Sequence, residues 1–331
     1  MRLRGKSMKK KNTFSYARYG YFFSLPFLIA FLIFSLYPTL YTAAIGFTDL
    51  KGIGNTTIHF LKDDPFANYK AILASESFQI AFRNTIKLWV CNFIPQLALA
   101  LLLAAWFTNV RMKIPGEGAF KVMFYMPNII TAATVAILFY SLFGYPMGPA
   151  NDILTRFGIL KEPFYFLNNK AITQNIVIFI QTWMWYGYTM IILISGILGI
   201  SPEIFEAADV DGANGWQVFW LITIPNIKTI LLFTLVTSLI GGLNMFDIPR
   251  LFMNGGPDNS TMTVGVFIYK QAFSGGYLYN RAAATSMIMF VIIVAVSSLL
   301  FYILRDKDEA ELKKIKKQQI KAERLKMKEA K

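Results

Sequence analysis

Four carboxylates crowd residues 201–218: Glu203, Glu206, Asp209 and Asp211, with no lysine or arginine among them. Clustered acids can do general acid–base work or hold a metal, but both chemistries commonly recruit histidine or cysteine. The chain has one of each, His59 and Cys91. A lone cysteine excludes a disulfide framework and any cysteine-based metal site. A lone histidine argues against a histidine-dependent metal site or catalytic triad, so no catalytic or metal-binding residue is expected. Nucleotide phosphates would need a Gly-x-x-x-x-Gly-Lys-Ser/Thr loop after a buried strand. The one Gly-Lys-Ser, Gly5-Lys6-Ser7, lacks the earlier glycine and the strand and stands in a basic tail. It is read as coincidence.

A second set of polar groups lies inside stretches that are otherwise apolar and uncharged. Gln181, Trp185 and Tyr188 follow i, i+4, i+7 and share one helix face, with Trp183, Met184, Tyr186 and Ser195 on the same stretch. Ser238, Gly242 and Met245 repeat that spacing further on, beside Gly241, Asn244 and Asp247. A sugar needs amides and carboxylates for its hydroxyls and flat rings for its C–H faces, and the two faces together offer both. Read the other way, the aromatics are interface anchors and the small residues are helix-packing positions. Residue types alone leave both readings open. Asn84, Asn92 and Gln96 around Pro95 read as hydrogen bonds between helices near a kink, and Pro127-Asn128 as a second kink. Asp247 and Arg250, three apart, read as a local ion pair, Cys91 as a buried apolar residue, and His59 as part of a solvated loop.

The elements that must position these groups follow from composition. Hydrophobic residues make up 55% of the 331 and charged residues 16%, against roughly 45–50% and about 25% in soluble domains. The net charge of +14 is concentrated at the ends: seven basic residues in 1–19 and eleven in 305–331, 18 of the 33. Basic ends around an apolar middle face a membrane surface rather than nucleic acid. A spanning helix takes about 20 apolar residues. Six uncharged stretches serve: Tyr21–Phe47, Leu88–Phe107, Val122–Phe143, Ala171–Ile200, Thr229–Phe246 and Ala282–Leu304. The first is too long for a signal peptide and lacks a clear Ala-x-Ala site. The expected fold is an all-α integral membrane protein of six transmembrane helices over 20–304, between a basic N-terminal tail (1–19) and a Lys-rich C-terminal tail (305–331).

Six spans put both termini on one side. With that side cytoplasmic, the inner segments (1–19, 108–121, 201–218, 305–331) hold 21 basic residues and the outer ones (48–78, 144–170, 247–281) nine, which favours both termini inside. The acidic loop 201–218 runs against that bias, so something other than topology shapes it. Ser201 is a good N-cap, Pro202 suits the first helical position, and Glu203 and Glu206 complement the helix dipole. Ile204, Phe205, Ala207 and Ala208 supply an apolar side. Gly212 can take the left-handed conformation that ends a helix, and a second helix starts near Ala213 and merges into the fifth span. Such a helix–turn–helix can dock in a partner's groove or lie flat in the membrane interface.

Glu206-Ala207-Ala208, then Asp211-Gly212-Ala213, Gln217, Phe219, Ile222 and Pro225, resembles the Glu-Ala-Ala loop of permease subunits in binding-protein-dependent ABC importers. Asn254-Gly255-Gly256-Pro257, followed by Thr263 and Tyr269, resembles the carbohydrate-importing subgroup, the maltose-type transporters. The resemblance covers about residues 80–300 and leaves the first span outside a shared five-helix core. It implies a coupling helix docked on a cytoplasmic ATPase through Glu203, Phe205, Glu206, Ala207, Ala208, Asp209, Asp211, Gly212 and Gln217. For the sugar path it implies Gln181, Met184, Trp185, Tyr188, Ser238, Gly241, Gly242 and Met245. No cofactor is expected in this chain, ATP and Mg being bound by the partner ATPase dimer. The other implied partners are a second homologous permease, an extracytoplasmic solute-binding protein, membrane lipid and a sugar, in a bacterial cytoplasmic membrane. The rivals are a related importer of glycerol phosphate or another small polar solute, and a membrane-embedded enzyme.

Overall fold

The computed structural model describes residues 17–55, 57–109, 112, 114–304 and 318–319. Gly5-Lys6-Ser7 and nearly all of both basic tails lie outside these. The described residues are helical almost throughout, as backbone in hydrocarbon must be to satisfy its own hydrogen bonds. The first span is α1 (Ala17–Phe31) and α2 (Tyr37–Ile45), joined by a π-helical turn at Leu32–Leu36. That turn precedes Pro38, whose missing N–H and ring oppose a regular ladder. A short α3 (Ala67–Leu73) leads into α4 (Glu76–Phe107), which carries Pro95 in its interior.

The expected third span is not one helix. It is split into α5 (Glu117–Ile129) and α6 (Ala132–Leu142), which meet at 88°. Pro127 remains helical inside α5; the turn is made at Ile130, extended at φ −71°, ψ 134°, and at Thr131, whose hydroxyl caps α6 by accepting from the Thr134 N–H. After α7 (Pro149–Arg156), the long α8 (Lys170–Leu198) starts at Asn169, whose side chain accepts from the Ile172 N–H. Next comes the predicted short helix, α9 (Pro202–Val210), then α10 (Gly215–Gln217), a π-helical turn at Val218–Thr223, and α11 (Ile224–Asn226).

The chain does not run smoothly from that loop into the fifth span. Pro225 and a non-helical Ile227 (φ −93°, ψ 10°) interrupt it before α12 (Lys228–Leu243). Asn244 breaks the helix again ahead of α13 (Asp247–Met253). Then α14 (Val264–Phe273) and α15 (Tyr279–Leu304) complete the fold. Among the described residues, five helices are long and apolar enough to cross a membrane, six if the bent α5–α6 pair counts as one span.

α8 is the hub. It packs along α4 and α5, and half of its most apolar window is buried, against none for the first span. Gly187 makes the α5 crossing possible, because a Cβ there would collide with the main chain of Phe124 and Tyr125. Three apolar clusters hold the bundle: one around Leu88, Val177, Ile180 and Ile248, one around Ile72, Val264, Val266 and Met289, and one around Ala100, Met190, Leu193 and Ile227.

Candidate functional site: a polar–aromatic cleft and an exposed helical loop

Between α4, α8, α12 and the start of α13 lies an open cleft of about 330 Å³. All eight residues predicted for the path line it: Gln181, Met184, Trp185, Tyr188, Ser238, Gly241, Gly242 and Met245. The i, i+4, i+7 face of α8 is therefore real. Its two rings stand edge to face, with centroids 5.9 Å apart, and keep 44% (Trp185) and 40% (Tyr188) of their surface exposed, while Gln181 is buried.

The two glycines do different things. A Cβ on Gly242 would overlap the Trp89 indole, so this glycine serves the α4–α12 contact, where Trp89 Nε1 donates to Ser238 Oγ at 3.2 Å. A Cβ on Gly241 would meet nothing within 4 Å. Residue types alone missed the α4 wall. Trp89, Asn92 and Gln96 line the cleft at i, i+3, i+7, a helical-face spacing like the i, i+4, i+7 of α8. Gln96 Nε2 donates to Thr189 Oγ1 at 2.8 Å, and Thr182 Oγ1 to the Asn92 carbonyl at 3.2 Å, beside the Pro95 break. Asn92 Nδ2 itself donates within α4, to the Leu88 carbonyl at 2.7 Å, while Asn84 reaches across to the carbonyls of Asn259 and Met262. Asn128 Nδ2 bonds the Met184 carbonyl at 3.2 Å.

Three expectations are corrected here. Asp247 and Arg250 form no ion pair: the Arg250 guanidinium lies 4.6 Å above the Tyr269 ring, and its charge adds to partial burial in lowering the pKa of Lys270. Cys91 is exposed on the outer side of α4 and is not a buried residue. Ser201 caps α9 without its hydroxyl; only its carbonyl takes part, accepting from the Ile204 N–H at 3.1 Å. His59 is solvated as expected and pairs with Asp49 at 3.5 Å; its main-chain N–H also holds the Asp49 carboxyl below the usual range.

The Glu-Ala-Ala motif folds as its residues require. Gly212 sits at φ +72°, and the Ala213 N–H returns to the Ala208 carbonyl at 2.9 Å, closing α9 with a left-handed cap. Gln217 forms a reciprocal capping box with Asn214, both bonds 2.9 Å, and so starts the next helix. Glu203, Glu206, Ala207, Asp209 and Asp211 point outward. Ala208 is buried and Phe205 half-buried against the ends of α4 and α8, so the outward apolar groups are Ile204, Val210 and Trp216. Among the described residues no group of three or more His, Cys, Asp or Glu could hold a metal.

Membrane-length helices around a polar cleft, with an exposed capped helix between α8 and α12, two of the helices that line it, define a membrane permease. The chain belongs to the binding-protein-dependent transport system inner membrane component family, whose model matches residues 85–309. It is thus the multi-pass inner-membrane permease subunit of an ABC importer and not an enzyme; ATP is bound by the partner ATPase. It is 31% identical to the lactose transport system permease protein LacF of Rhizobium radiobacter, over 87% of this chain and 94% of that protein. It is 29% identical to the arabinooligosaccharides transport system permease protein AraP of Bacillus subtilis, over 84% and 85%. A solved bacterial ABC transporter involved in import of the acidic polysaccharide alginate contains a chain that superposes with TM-score 0.74 at 25% identity, covering 88% of this chain and 96% of that one. The same fold is matched in that transporter's complex with its alginate pentasaccharide-bound periplasmic protein.

Proposed function

We propose that the chain forms half of an oligosaccharide-import pore, paired with a second homologous permease. Substrate arrives from an extracytoplasmic binding protein docked on segments 48–78, 144–170 and 247–281. A cytoplasmic ATPase dimer holds the α9 loop through Glu203, Glu206, Ala207, Asp209 and Asp211, with Phe205, Ala208, Gly212 and Gln217 shaping the loop from within. Both termini face the cytoplasm. ATP-driven closure of the ATPases biases two helix arrangements, inward-open and outward-open. One observation carries the sugar reading: the cleft joins two exposed rings at right angles to the amides and hydroxyls of Gln181, Gln96, Asn92 and Ser238. Its lining contains no lysine or arginine, which weighs against glycerol phosphate and other anions.

The test is uptake of a labelled oligosaccharide panel by cells carrying wild-type chain, Trp185→Ala or Gln181→Ala. Loss of one stacking surface should cost about 0.5–1.5 kcal/mol, a two- to tenfold fall in uptake efficiency with membrane insertion intact. Unchanged kinetics in both variants would place the substrate contacts on the other permease.

A further inference from the structure

The lining of the cleft includes one acidic side chain, Asp247, and no lysine, arginine or histidine. Its carboxylate is exposed and, among the described residues, joins no ion pair and accepts no hydrogen bond; Arg250, one turn on in α13, lies over Tyr269 instead. A bare carboxylate in a wall of amides, hydroxyls and rings acts on a sugar in two ways. It accepts from adjacent hydroxyls with the strength of a charge-assisted bond. It also repels any sugar bearing a carboxylate or phosphate at close range.

We propose that Asp247 is a charge filter, admitting neutral oligosaccharides and rejecting acidic ones. The fold does not dictate this choice, since a chain of the same fold belongs to an importer of an acidic polysaccharide. The filter rests on the reading of the cleft as the sugar path and adds the charge of the sugar to it. It also follows from position: Asp247 sits where α12 has ended at Asn244 and α13 begins, so its side chain borders the cleft without being packed inside a helix pair.

The test uses the assembled permease–ATPase complex in nanodiscs, with trigalacturonate and its trimethyl ester as probes. They share a shape and differ in charge. Equilibrium binding is measured at low and high salt for wild type, Asp247→Asn and Trp185→Ala. Wild type should bind the ester about three- to tenfold more tightly than the acid at low salt, with the gap closing as salt screens the carboxylate. Asp247→Asn should bring the two affinities together, mostly by strengthening the acid. Trp185→Ala should weaken both and keep the gap. A gap unchanged in Asp247→Asn, or absent in wild type, overturns the filter and leaves the sugar path standing. Binding of neither probe at millimolar concentration, or affinities indifferent to both substitutions, overturns the path and the filter together.

Discussion

The cleft depends on glycines that are neighbours in sequence and opposites in role. Gly242 touches the Trp89 indole so closely that even a methyl group would displace the ring, whereas Gly241 faces open space. Overpacking of this kind costs roughly 1–3 kcal/mol, so Gly242→Ala should lower the thermal midpoint of the purified protein while Gly241→Ala leaves it near wild type. Size-exclusion profiles recorded after stepped heating would show the split, and equal midpoints would mean that Trp89 swings aside at little cost. Nothing in the residue pair Gly-Gly announces which member packs and which is open. That depends on the rotation of α12 against α4, a tertiary quantity. The same holds for Asp247 and Arg250, whose spacing of three invites a pair. The Tyr269 ring on α14, distant in sequence, takes the guanidinium instead.

At the scale of elements, local rules were legible wherever a cap or a glycine fixed the backbone. Pro202 at the start of α9 and Gly212 at its end stand where the sequence puts them. The face of α8 followed from periodicity. What escaped was the direction in which helices leave one another: the 88° bend before α6 is made by an extended Ile130 and by Thr131, whose N-cap role is a weak signal in sequence, three and four positions past Pro127. Escaping too was the inward turn of Phe205 and Ala208, because an apolar side on a short helix does not say whether it faces its own chain or a partner. Gly212→Asp and Glu206→Lys should leave the spans inserted while reducing co-purification of the ATPase and abolishing coupled uptake. A residue with a Cβ at φ +72° costs roughly 1 kcal/mol in local strain, and reversal of charge at Glu206 disturbs an outward face. Pull-down of a tagged permease beside sugar-stimulated ATP hydrolysis measures both; full retention in both variants would reduce α9 to an interfacial helix. Asn214→Ala removes the N-cap arm of the capping box and should cost about 1 kcal/mol of local stability, read as faster amide exchange at residues 214–217.

For the whole molecule, the imbalance of 21 basic residues against nine predicts that both termini face the cytoplasm. In a Cys91→Ala background, needed because Cys91 is exposed, cysteines at residues 10 and 320 should resist an impermeant thiol reagent in intact cells. Cysteines replacing Lys62 or Asp258, both exposed, should label. Labelling at either terminus would invert the topology. Ser260 is a poor reporter, being 7% exposed. The number of apolar stretches could be read from composition because hydrocarbon thickness sets a length. How those stretches pair could not, since in lipid helix contacts are chosen by small residues and shape and leave little trace in hydrophobicity.

α8 runs unbroken from Lys170 to Leu198 and joins α9 through only Gly199, Ile200 and Ser201. Near its middle, Gly187 is pressed against the main chain of α5. About that contact the helix has two arms, at about 1.5 Å per residue roughly 16 Å to Leu198 and roughly 9 Å to Gln181. A rigid swing imposed at the α9 end would therefore reach Gln181 reversed in direction and reduced in amplitude, as in a pair of pliers.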